Sequence, residues 1–207
     1  MSPFPSAERS TRSRIATLSL VVLLIAVAAI SVAALRRAFG PKVAMAPDFT
    51  LTDQDDHPFT LSALRGHPVA LFFGYTHCPD ACPTTLAHLA KAVHSRGVPE
   101  DGRVAFITVD PDRDSPAALK RYVHIFDPSF IGLTGSLKTL NPIYSAYHTW
   151  REAVPSEALP LFKHGPNDYF MAHGTTIYYV GRDGSLKGFG QWDDPTTSII
   201  HDLREFQ

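Results

Sequence analysis

The apolar positions of this chain fall into three kinds of pattern. Residues 15–35 form a run of 21 without a charge, broken only by Thr17, Ser19 and Ser31. Two shorter runs, PVALFFGY at 68–75 and RVAFITVD at 103–110, are continuous and bounded by turn residues. Runs of that length predict strands buried on both faces, as in a parallel or mixed sheet covered by helices. Elsewhere the apolar residues recur at helical spacing. Leu86, Leu89, Ala90 and Val93 share one face of a helix predicted over 83–95. Ser115 at N-cap and Pro116 at N1 open a second helix through 126. Ser136 caps a third through about 147, and Ile199, Ile200, Leu203 and Phe206 mark the inner face of a closing helix over 195–206. Residues 47–64 read as two short extended pieces around a polar turn at 53–57. Residues 175–190 read as a hairpin turning at Asp183-Gly184. Helices alternating with buried strands predict a layered α/β domain. Residues 152–169 read as a long irregular stretch, a length often given over to function or motion.

The uncharged run changes the picture of where the domain works. A bilayer core needs roughly 20 apolar residues in a helix, whereas a signal-peptide core has about 7–15. A retained transmembrane anchor over 15–35 is therefore expected rather than a cleaved signal. Arg9, Arg12 and Arg14 precede it, and Arg36, Arg37 and Lys42 follow, so charge bias decides little about orientation. A short tail ahead of one span favours a cytoplasmic residue 1–14 tail. The expected order is that tail, the anchor at 15–35, a linker at 36–46 with a Gly40-Pro41 break, and a domain at 47–207. The setting it suggests is a bacterial inner membrane with the domain in the periplasm. A net charge of -1 and the absence of a basic stripe argue against nucleic acid as a partner.

Candidate chemistry sits where the first buried strand ends. Cys78 and Cys82 are the only two cysteines, three residues apart and each followed by proline. A domain of this size buries about 68–70% of its unfolded-chain surface and needs no disulfide staple. Pro83 is tolerated only in the first turn of a helix, so the helix begins near Cys82 and residues 78–81 form a loop at its N-terminus. That end carries partial positive charge and free N–H groups, which favour thiolates. A structural disulfide or simple packing is the plainest reading of the pair. A redox dithiol or a metal site makes fuller use of the setting. Two thiolates and an imidazole form a soft set suited to copper. His57, His67, His88, His94, His124, His148 and His201 fall in turns or on polar helix faces, and His77, beside Cys78, is expected to point away. His164, in the long stretch, stays open as a third ligand, and His173 stands out because it lies just before the predicted strand at 175–180, in a loop that a parallel α/β arrangement can place near the first strand's end. Asp110, Asp112, Arg113 and Asp114 form a charged turn whose expected role is turning the chain and capping the next helix.

Four blocks resemble a known family. GYTHCPDACPTTL at 74–86 looks like the G-[FY]-T-x-C-P-x-x-C-P block of the Sco/SenC proteins, which are membrane-anchored copper chaperones. VDPDRDSPAALKRYV at 109–123, FIGLTGS at 130–136 and DYFMAHGTTIYYVGRDG at 168–184 resemble three further blocks, in family order. The resemblance implies an α/β, thioredoxin-like fold with an N-terminal β-hairpin, preceded by one transmembrane helix. It implies that Cys78, Cys82 and His173 bind copper, as Cu(I) or Cu(II). The usual recipient is cytochrome c oxidase subunit II, with a copper donor protein and a thiol reductant as further partners. One departure stands out: the family usually has Asp before and Ser or Thr after this histidine, where this chain has Ala172 and Gly174. Asp168 is a candidate to compensate, and Met171 carries a soft thioether, although packing is its expected role.

Two other readings compete with copper delivery. A thiol–disulfide oxidoreductase would cycle Cys78 and Cys82. General thioredoxin-like reductases, however, carry CxxC and a proline just before the facing strand, and here the spacing is CxxxC and the nearest proline before Thr175 is Pro166. A peroxiredoxin-type peroxidase would need a P-x-x-x-[TS]-x-x-C setting, which GYTHC does not reproduce.

Overall fold

A computed structural model of the chain describes residues 44–155 and 169–205, together with Ile25, Val27, Ile30 and Ser31. Those four are helical. The rest of the span expected over 15–35 lies outside the described residues, as do His164 and Asp168. Among the described residues, no helix is long and apolar enough to cross a membrane.

The seven-stranded sheet is built outward from the two apolar runs. The run at 68–75 becomes β3 (Val69–Gly74), buried at every position, and the second becomes β4 (Arg103–Thr108). They pair in parallel, Val69 opposite Arg103 through Gly74 opposite Thr108. The connection between them is α1 (Ala81–Val93). A parallel crossover of this kind is right-handed in nearly all proteins, which places the helix on one defined face. A second crossover, α2 (Pro116–Phe126), leads from β4 to its other parallel neighbour, β5 (Ile131–Thr134). Ser115 caps α2, its hydroxyl accepting from the Ala118 N–H at 3.3 Å.

The N-terminal hairpin is β1 (Thr50–Asp53) with β2 (Pro58–Thr60), followed by a 3-10 turn, Leu61–Leu64. On the other side of β3 lies the hairpin β8 (Ile177–Val180) and β9 (Leu186–Gly190), antiparallel to it. The full order is β2-β1-β5-β4-β3-β8-β9. Helix α3 (Leu137–Ala146) follows β5, and α4 (Thr196–Glu205) closes the described chain, packed beside α1.

Alternation along β3 sends its side chains into two cores. Phe72 meets Phe106, which meets Tyr122 of α2, so this core lies under α1, α2 and α4. Phe73 faces the opposite way, against Tyr144 and Tyr147 of the α3 region and Tyr178 of β8. The layers are therefore helix, sheet, helix.

Three strands differ from the sequence expectation. β5 was not predicted, being four residues long with a glycine inside; it is the strand that joins the N-terminal hairpin to the sheet through β1. The start of the stretch expected to be irregular forms β6 (Arg151–Pro155), paired antiparallel with β7 (Tyr169–His173). This two-stranded ribbon is separate from the main sheet.

Candidate metal centre

The thiol half of the site is a turn between β3 and α1. The Cys78 N–H donates to the Tyr75 carbonyl at 3.2 Å, and α1 starts at Ala81, one residue ahead of Cys82. No side chain caps this helix end, so its first N–H groups are free for other acceptors. One is used directly: the Cys82 N–H donates to the Cys78 sulfur at 3.4 Å. Cys82 is fully buried and Cys78 half-buried.

That difference splits the two thiols. The Cys78 thiol is pulled down to about 4, first by the hydrogen bond from the Cys82 thiol, against the opposing effect of burial, with backbone N–H groups adding to it. Cys82 is pushed well up by burial and by the Cys78 charge. In the reduced, metal-free protein Cys78 is the thiolate and Cys82 the thiol.

Gly74 makes this burial geometrically possible. A Cβ there would stand 2.7 Å from the Cys82 sulfur and 2.6 Å from the Phe106 ring. Only a bare Cα at the end of β3 lets α1 bring Cys82 this close to the sheet.

His173 ends β7, and its Nε2 lies 3.7 Å from the Cys82 sulfur. Its Nδ1 is 2.7 Å from the Gly174 carbonyl. A carbonyl can only accept, so Nδ1 carries the proton and Nε2 presents a lone pair to the thiols. The Tyr75 ring meets the imidazole edge-on at 5.7 Å.

The donor atoms of Cys78, Cys82 and His173 all lie within 4.8 Å of one another, the single such group among the described residues. A trigonal ion with bonds of about 2.3 Å to sulfur and about 2.0 Å to nitrogen sets S and N about 3.7 Å apart. The Cys82–His173 separation already has that value. The site opens into a cleft lined also by Tyr75, Pro79, Val154 and Trp192, so one side of an ion here would remain accessible.

Of the ten histidines, the structure brings His173 alone to the thiols among those described. His77 turns away, as expected, its Nδ1 3.0 Å from the Thr76 hydroxyl. Met171 is 3% exposed and packed in the core. Ala172 pairs with Glu152 across the ribbon. Gly174 has a local reason: a Cβ would come within 2.7 Å of the Thr149 hydroxyl, so Ser or Thr does not fit beside Thr149. The turn at 110–114 departs from expectation. Its Asp110 and Asp114 are fully buried, and Ser115 does the capping. Sequence reasoning also passed over Tyr75 and Trp192; the signal available for Tyr75 was its place inside the GYTHC block.

Residues 38–207 match the family model described as SCO1/SenC. The chain belongs to the SCO1/SenC family. It is similar to the mitochondrial SCO2 homolog of Mus musculus, 34% identical over 160 residues, 76% of this chain and 60% of that protein. The SCO1/SenC likeness thus spans well under two thirds of the mammalian relatives' length, 50% for the bovine and human proteins. Among solved structures, ScoI of Bradyrhizobium japonicum with copper bound is 34% identical with a TM-score of 0.66, covering 79% of this chain and all of that one. ScoI of Arabidopsis thaliana with copper bound is 28% identical with a TM-score of 0.69, covering 78% of this chain and 97% of that one. The fold is the mixed α/β, thioredoxin-like arrangement of these Sco proteins. Two sulfurs and one imidazole, all within 4.8 Å of one another, could hold copper in a SCO1/SenC chain.

Proposed function

We propose that this protein binds copper through Cys78, Cys82 and His173 and delivers it to a partner during assembly of a cytochrome c oxidase copper centre. The observation that carries the reading is the convergence of two sulfurs and the unprotonated Nε2 within 4.8 Å of one another, on an open cleft. Copper is the cargo, taken as Cu(I) by the reduced pair. An open three-donor site suits transfer, because an incoming ligand can bond before an old one leaves. The partners are a copper donor, a recipient resembling subunit II of the oxidase, and a reductant that keeps the thiols reduced. Residues 15–35 would anchor the chain in a bacterial inner membrane, with the domain facing the periplasm.

A second reading is favoured by the split between the thiols. A half-exposed Cys78 thiolate is a nucleophile and a buried Cys82 is a resolving thiol. Cys78 would attack a partner disulfide, forming a mixed disulfide and expelling one partner thiolate. Cys82, losing its proton, would then attack the Cys78 sulfur and release the second. Two electrons pass to the partner and Cys78–Cys82 becomes the disulfide.

Cu(I) competition against a chelator separates the readings. The full chain, solubilised and reduced, is expected to hold one Cu(I), weakened in His173→Ala and lost on oxidation. Equal copper affinity in the oxidised form, or indifference to His173, would defeat delivery and leave the dithiol reductase.

A further inference from the structure

The segment DPDRD, residues 110–114, follows β4 and keeps the acidic side chains at its two ends out of water. Asp110 and Asp114 are each 0% exposed. Buried carboxylates persist only where they are paired or hydrogen-bonded, so their partners indicate what the segment holds. Asp114 accepts from the Thr108 hydroxyl at 2.6 Å, from the Thr76 hydroxyl at 2.6 Å, and from the Thr76 N–H at 3.2 Å. Thr76 stands two residues before Cys78.

Asp110 and Arg113 hold the other half of the site. Asp110 accepts from the Tyr169 hydroxyl at 2.7 Å and pairs with Arg113 Nε. Arg113 Nη1 donates to the Tyr169 carbonyl at 3.1 Å, and the guanidinium lies over the Tyr169 ring at 3.7 Å. It also lies 5.7 Å from the ring of Tyr75, whose edge contact with His173 was described above. Tyr169 opens β7 and His173 ends it, on the same face by the strand's period of two.

The grip matters because, among the described residues, β7 has no ladder to the main sheet and pairs with β6 alone. Backbone hydrogen bonds fix β3, and with it the approach to the thiols. They do not fix the height of His173 above those thiols. The ribbon is tied back to the end of β4 by side chains, through Arg113 to Tyr169 and through Arg151 Nε to the Val109 carbonyl.

We infer that residues 110–114 are the spacing element of the copper site, with Asp114 positioning the thiol turn and Asp110 with Arg113 positioning His173. None of the three touches the donors' cavity, so each acts through a neighbour. The inference rests on the copper reading above, and adds how one five-residue segment sets the span between sulfur and imidazole.

The test is a set of double-mutant cycles on the reduced full chain, reading Cu(I) affinity by chelator competition. Tyr169→Phe removes the hydroxyl bond to Asp110 and keeps the ring under Arg113; Arg113→Lys removes the fork. Each is expected to weaken Cu(I) by about 10–100-fold, the usual cost of losing a group that orients a ligand. In the His173→Ala background the same changes are expected to cost nothing further, because the contribution they maintain is already gone. Asp114→Asn is expected to weaken binding in both backgrounds and to shift the dithiol–disulfide midpoint, which Tyr169→Phe leaves alone. A role confined to general stability would instead lower the melting temperature and cost the same affinity with and without His173. That additive result, or wild-type affinity in Tyr169→Phe and Arg113→Lys, overturns the inference while the copper reading stands. Failure of the unmodified chain to bind Cu(I) overturns both.

Discussion

Replacing Gly74 by alanine tests how tightly fold and site are joined. The new methyl would sit 2.6 Å from the Phe106 ring and 2.7 Å from the Cys82 sulfur, where ordinary contact begins near 3.4 Å. Both neighbours are fully buried, so neither can swing into solvent. Overpacking of this kind costs about 1–3 kcal/mol, which for a domain of this length lowers the melting temperature by roughly 2–12 °C. Phe106 is wedged between Phe72 and Tyr122 and has little room to yield. The sulfur is the softer neighbour, and restoring 3.4 Å from 2.7 Å moves it by 0.7 Å. Metal–ligand bonds tolerate about 0.2 Å, so Cu(I) affinity should fall as well. The assay is paired: thermal unfolding of the metal-free protein and chelator competition for Cu(I), on wild type and Gly74→Ala. A variant with wild-type melting and wild-type copper affinity would refute the claim that α1 needs a bare Cα at the end of β3. Loss of stability with full copper affinity would refute the narrower claim that Cys82 is the group displaced.

Further outcomes follow from the same geometry. His173→Ala should weaken Cu(I) while Cys78–Cys82 disulfide formation, followed by thiol titration, stays intact. Alkylation of the reduced protein, resolved by mass spectrometry, should fall on Cys78 and spare Cys82. Because the Cys78 pKa is depressed to about 4, its thiolate and its alkylation rate should hold as pH falls from 8 and drop only near pH 4; a rate that collapses near the ordinary thiol value of about 8.5 would count against the split between the thiols. Gly174→Ser should destabilise through its clash with Thr149, and Thr149→Ala should restore much of the loss, seen as coupling in a melting-temperature cycle.

What the sequence made legible depended on whether the signal was local. β3 and β4 were readable because both faces of each are covered, which leaves an unbroken apolar run. α2 was readable from its cap, Ser115 with Pro116. β6 was not: REAVP shows no alternation, since the strand itself buries little on either face and is held by pairing with β7. Nor was the burial of Asp110 and Asp114, because a cluster of acids reads as a solvated turn until Thr76, Thr108 and Tyr169 arrive from distant segments to satisfy it. The candidate metal centre divides the same way. Cys78 and Cys82 declare themselves by spacing and by the helix that starts at Ala81. His173 lies 91 positions from Cys82; its place just before the expected strand at 175–180 made it stand out among the histidines, and the family resemblance turned that positional guess into a ligand. The structure adds what neither could supply, the Gly174 carbonyl that accepts from Nδ1–H and turns Nε2 toward sulfur. A residue's type and neighbours reveal a potential ligand; its tautomer and reach depend on groups that meet only in the folded chain.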